Sequence, residues 1–152
     1  MSSIEKEEFR SINEFKEAIL DILLKKLQDK DSIKSRRDAA IALGLFIDKR
    51  ANKALNTALN DNIKTVRFHV AAALEYLGEN IPNIIKVNLQ HKDEEVKQRA
   101  NELMENIGEI KRRARTISVK KRLRAIENTL EEEQKEECTN RLLTFSQKIF
   151  KV

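Results

Sequence analysis

The chain has 152 residues, 36% charged and 40% hydrophobic, with no Trp, three Gly and one Pro, a composition of one domain's length that is rich in helix formers and argues against strands. A lone cysteine, Cys138, excludes an intrachain disulfide, and the longest apolar run, "AAIALGLFI", is too short to span a bilayer. The net charge of +5 is uneven: residues 111–124 contribute +8 and the rest of the chain sums to −3. These features suggest a soluble, cytoplasmic, all-α protein with no cofactor.

In chain order, the first periodic stretch carries Phe9, Ile12, Phe15, Ile19 and Leu23 at helical spacing, with a candidate capping box at Ser11 and Glu14. It leads into "AILDILLKKLQ", the first of three amphipathic stretches ending in Leu; the others are "ANKALNTALN" and "IPNIIKVNLQ". Each precedes one of three mutually similar stretches: "SRRDAAIALGLFI" (35–47), "VRFHVAAALEYLG" (66–78) and "VKQRANELMENIG" (96–108). A basic residue recurs second in each (Arg36, Arg67, Lys97), and small or apolar residues recur at i, i+3/4 and i+7, which is one stripe along a helix. The unit is therefore helix, turn, helix. Asp93 and Asn80 are placed as N-caps, Pro82 falls in a first turn, and Gly78 and Gly108 are placed to close second helices with positive φ.

These stretches resemble HEAT repeats, in particular the short variety of roughly 30 residues known from phycobilisome lyases. That family's pattern runs Val-Arg, two variable residues, Ala-Ala, one variable, Ala-Leu-Gly, one variable, apolar, Gly. "VRFHVAAALEYLG" follows it closely, whereas the first copy replaces the opening Val with Ser35 and the third drifts in the middle. The resemblance implies a short α-solenoid of three helical pairs over residues 1–109, followed by a charged helical extension over 110–152. It also implies that Arg36, Arg67 and Lys97 pair with acids of turns or neighbouring repeats.

In the extension, Ile110, Ala114 and Ile117 share one stripe, while Val119, Leu123, Ile126 and Leu130 share another, so the phase slips at "TIS", where Ser118 is placed to cap a new helix. Cys138, Leu142, Phe145 and Ile149 resume the spacing after "EEEQKEE". Either one helix runs from 118 to 150 or two meet near 137. The basic start and acidic continuation of such a helix oppose its macrodipole.

The sequence holds no HExxH, GxSxG, CxxC or Gly-rich phosphate loop, which argues against an enzyme. The expected function is a non-catalytic protein-interaction scaffold. A solenoid binds through the face lined by its second helices, which nominates Ile41, Leu45, Phe68, His69, Tyr76 and Arg99 as partner contacts, unless the C-terminal helices fold back over them. Lys111, Arg112, Arg113, Arg115, Lys120, Lys121, Arg122 and Arg124 are nominated to hold an acidic partner or a polyanion. A nucleic-acid-binding accessory, a homodimer formed through the C-terminal helices, and a subunit of a HEAT-like bilin lyase are the alternatives; no membrane contact is expected.

Overall fold

In the computed structural model, which describes residues 2–130, eight helices account for the regular structure, with no strand among the described residues. They are α1 (Ser3–Leu27), α2 (Ile33–Leu43), α3 (Lys49–Ala58), α4 (Lys64–Tyr76), α5 (Ile81–Leu89), α6 (Glu94–Glu105), α7 (Ile107–Thr116) and α8 (Val119–Thr129). Helices α1/α2, α3/α4 and α5/α6 form the three pairs, and α2, α4 and α6 form the inner row. The expected all-α short solenoid is the observed fold.

Local chemistry starts three of these helices where the sequence places them: Asn80, Asp93 and Ser118 each accept a backbone N–H of the first turn through a side-chain oxygen, as Ser32 and Asp48, not singled out in the sequence, also do, and Pro82 lies where its missing N–H costs nothing. Gly78 adopts φ +87°, the left-handed conformation that ends α4.

Three expectations are corrected. The capping box belongs to Ser2 and Glu5, so α1 is one continuous helix and Ser11 lies in its interior. Gly108 does not close a helix: the chain breaks at Asn106, whose amide donates to the Glu102 carbonyl at 2.7 Å, and Gly108 sits inside α7. A single helix from 118 to 150 is also ruled out, because α8 ends at Thr129 and Leu130 is extended (φ −85°, ψ 149°). A junction near 137 falls outside the described residues.

Stacking of the pairs is fixed by arginines that reach into turns. Arg36 donates through Nε and Nη2 to the Asp61 carboxylate at 2.8 and 3.3 Å, and through Nη1 to the Asp29 carbonyl at 2.8 Å. Arg67 donates to the Asp61 carbonyl and to Glu102, both at 2.8 Å. Arg99 reaches the Asn60 carbonyl at 3.1 Å. Lys97, at the position matching Arg36 and Arg67, makes only an exposed pair with Glu94 on its own helix.

The inner row is built from small residues: Ala39, Ala40 and Ala42 on α2, and Ala71, Ala72 and Ala73 on α4, are completely buried. A helix buried on all sides needs a layer on each side. The first helices supply one, and the C-terminal segment supplies the other: α7 packs on α4, and α8 packs on α2 and α1. Ile110, Ala125, Ile126 and Leu130 consequently join the same apolar cluster as Phe15, Leu43 and Leu74. Residues 110–130, expected as an extension, share the core of the repeats.

Asp61 is the shared acceptor of this stack, and its Oδ1 also accepts the Ile63 N–H at 2.9 Å. Removing one partner of a buried ion pair strands the other, at a cost of about 3–5 kcal/mol. Asp61→Ala is expected to lose stability in that range by urea denaturation. Glu94→Ala, which removes the exposed partner of Lys97, should cost under about 1 kcal/mol; similar losses from the two substitutions would contradict the assigned role of Asp61.

Candidate functional site

The face expected to receive a partner is occupied by the chain's own C-terminal helices. Leu45 and Phe68 are buried, Ile41 and His69 are half-buried, and Tyr76 keeps 41% of its surface exposed. The covering is specific rather than only apolar. Arg113 of α7 lies over the Phe68 ring at 5.4 Å, which Lys64 of α4 itself also approaches at 5.6 Å, and Arg122 of α8 lies over the Tyr76 ring at 4.0 Å. Arg99, also nominated as a partner contact, has its guanidinium committed to Asn60. Leu45, Phe68 and Arg99 therefore do not form an open docking surface.

Arg122 departs furthest from expectation. Nominated as a surface cation, it is completely buried on α8. Its Nη1 donates to the Ile41 carbonyl at 3.0 Å, while Nε and Nη2 have no hydrogen-bond partner. Burial pulls its pKa down to about 10, with Tyr76 acting in the opposite direction, so the group remains charged at neutral pH. Space for it exists because residue 44 is Gly: a Cβ there would overlap the Arg122 guanidinium. Gly44 has ordinary helical backbone angles (φ −59°), so it is close approach and not conformation that excludes a side chain. The sequence carried a signal for this burial, since Arg122 lies three and four residues before the buried Ala125 and Ile126 on α8.

A second buried polar group was not singled out by the sequence. Asp38 on α2 is buried, with an ion-pair distance of 3.9 Å to Arg37. Burial raises its carboxyl above the usual range, against the pull of Arg37, Lys34 and His69. Burial likewise lowers the His69 imidazole, as do Arg113 and Arg37, while its hydrogen bond to the Thr65 carbonyl at 2.7 Å opposes the shift. A carbonyl only accepts, so His69 Nδ1 carries the proton. No group of three His, Cys, Asp or Glu among the described residues is arranged to hold a metal.

The remaining basic residues of the segment face outward. Lys111, Arg112 and Arg115 on α7, and Lys120, Lys121 and Arg124 on α8, are exposed, and Arg113 is half-buried. Glu109 receives Arg112 at 2.6 Å and Arg113 at 3.1 Å, and these two guanidiniums hold its carboxyl at about pKa 2. Lys111, Arg115, Lys120, Lys121 and Arg124 make no ion pair among the described residues. No described helix is long and apolar enough to cross a membrane.

The family model for HEAT repeats matches residues 20–105, more than half of the chain, and the chain belongs to that family. The match is to HEAT repeats in general and specifies no finer type. Comparison with curated proteins and with solved structures returned no match. HEAT repeats generally mediate protein–protein interactions, and the family is generally a non-catalytic scaffold.

Two outcomes follow from the buried polar groups. Gly44→Ala should cost about 1–3 kcal/mol by overpacking, although Ala is favoured over Gly in helical backbone. In an Arg122→Ala background that cost should largely vanish, so a double-mutant cycle should show coupling; additive losses would mean the two residues do not touch. Because the folded Asp38 holds its proton more firmly than the unfolded one, stability contributed by this group is present below about pH 4 and lost as pH rises through the folded pKa. Asp38→Asn should thus raise the melting temperature at pH 7 and lose that advantage at pH 3, which thermal denaturation at the two pH values will show.

Proposed function

We propose that this HEAT-repeat chain is a non-catalytic interaction module that docks an acidic protein surface against the exposed basic side of α7 and α8. The supporting observation is the contrast between two sets of basic residues. Arg36, Arg67 and Arg99 are turned inward onto turn acceptors, whereas Lys111, Arg115, Lys120, Lys121 and Arg124 project outward without an ion pair among the described residues. Those five sit on helices anchored to α2 and α4, so their spacing is held by the core and little side-chain scaffolding must be ordered on binding.

The start of α8 strengthens the attraction. Its first turn contains no acidic residue and carries Lys120 and Lys121, so the positive end of the helix dipole and two ammonium groups add up unopposed. A carboxylate-rich partner relieves that repulsion. The expected homodimer through the C-terminal helices finds less support, because the apolar side of α8 is already used against α2 and α1; residues 131–152 lie outside the described residues.

The test uses full-length protein and three probes: a fluorescent poly-glutamate peptide, single-stranded DNA and duplex RNA. Replacing Lys111, Arg115, Lys120, Lys121 and Arg124 with Glu is expected to weaken peptide binding at least tenfold, with affinity falling steeply as salt rises. Peptide binding that survives the five substitutions removes this reading. Tighter, charge-dependent binding of either nucleic acid would replace it with the polyanion-binding alternative.

A further inference from the structure

We propose that residues 138–149 dock, within the same chain, along the N-terminal half of α1 at residues 3–14. The helix has 25 residues, about 37 Å of length at 1.5 Å per residue, yet its first buried side chain is Phe15. Upstream of it Ile4 is 79% and Phe9 60% exposed, and Ile12 is half-buried. Ile4, Ile12, Phe15, Ile19 and Leu23 lie on one side of the helix, so the stripe that packs into the core further on continues past the point where described elements cover it. A dozen residues are marginal as a free-standing helix, even with the capping box at Ser2 and Glu5. The overhang therefore calls for a cover.

The rest of the chain supplies one of fitting size and charge. Helix α8 packs on α1 as well as α2, and Leu130 at its end is buried in the same cluster as Phe15 and Ile19. Twenty-two residues follow Leu130 in the sequence. The eight steps from 130 to 138 can span up to about 28 Å, enough to reach the overhang. In the sequence, Cys138, Leu142, Phe145 and Ile149 recur at the spacing of a single helical face, over twelve residues, the same number as the overhang. Residues 3–14 carry a net −2, whereas residues 138–152 contain Arg141, Lys148 and Lys151 and no acid. Opposite charges thus accompany matching apolar stripes.

Hydrogen exchange on the full chain decides it, with the amides of α4 as an internal control for folding. Residues 3–14 are expected to be protected, and Phe145→Glu and Leu142→Glu should each speed their exchange at least tenfold while leaving α4 unchanged. Unchanged exchange of residues 3–14 in both variants overturns the proposal. So does protection that grows with protein concentration, because the cover would then be a second copy. Cys138, as the only native thiol, provides a second readout in full-length Ile12→Cys and Ile4→Cys. Mild oxidation should give a monomeric, thiol-free product in at least one of them, and none in Val87→Cys, whose site on α5 is 74% exposed.

Discussion

The turn at Asn60 and Asp61 is where the three repeats are joined. Guanidinium groups from all three inner helices converge on it: Arg36 on the Asp61 carboxylate, Arg67 on the Asp61 carbonyl and Arg99 on the Asn60 carbonyl. The partners are separated by 25, 6 and 39 residues, so one short turn fixes contacts that neighbouring helices could not make alone. Apolar stripes tolerate sliding because their contacts are non-directional, whereas a forked guanidinium on a carboxylate accepts few geometries. Packing of the stripes supplies the driving force, and these bonds select its register.

With the register set, α2 and α4 lie side by side and present a floor of alanines too small to fill space by themselves. Helices α7 and α8 approach that floor closely, and closeness has a consequence at Arg122. The guanidinium can enter only because residue 44 lacks a side chain, and it enters with two of its donors unsatisfied. A buried, incompletely paired cation is a cost. It is offset by the Tyr76 face, the Ile41 carbonyl and the burial of Ala125, Ile126 and Leu130 around it. The surface a solenoid usually offers to partners is in this way consumed internally, and the polar groups trapped beneath, Asp38 and His69, are each shifted toward their neutral forms.

What could be read from the sequence follows the reach of the interactions involved. The pairing of helices, the caps at Asn80, Asp93 and Ser118, and the positive φ of Gly78 were legible because each depends on residues a few positions apart. The structural role of Arg36 and Arg67 was legible through the repeat, but the destination of Arg99 was not, since it lies 39 residues away. Leu45 and Phe68 looked available because helical periodicity describes one helix at a time and cannot count the layers laid upon it. The break at Asn106 was hidden by the repeat itself: Gly108 occupies the position of Gly78, yet the chain bends two residues earlier and uses the Gly inside α7. Charge runs mislead for a related reason. "KKRLR" reads as uniform surface, although a helix turns its third member, Arg122, toward the core while Lys120, Lys121 and Arg124 face outward.

That division within one run bears on what the basic segment is for. Had its charge served only to keep the chain in solution, nothing would require the segment to be clamped to the inner row by Ile110, Ala114, Ala125 and Ile126. Burying those residues holds Lys111, Arg115, Lys120, Lys121 and Arg124 on a framework whose register is itself fixed at Asp61. Glu109, the acid nearest to Lys111 and Arg115 in sequence, is already engaged by Arg112 and Arg113, and none of the five makes an ion pair among the described residues. Like charges held at fixed spacing repel one another. On the proposed function, an acidic surface of complementary spacing would lower that repulsion, and the packing that closes the solenoid's usual face would be what holds the outer face ready for it.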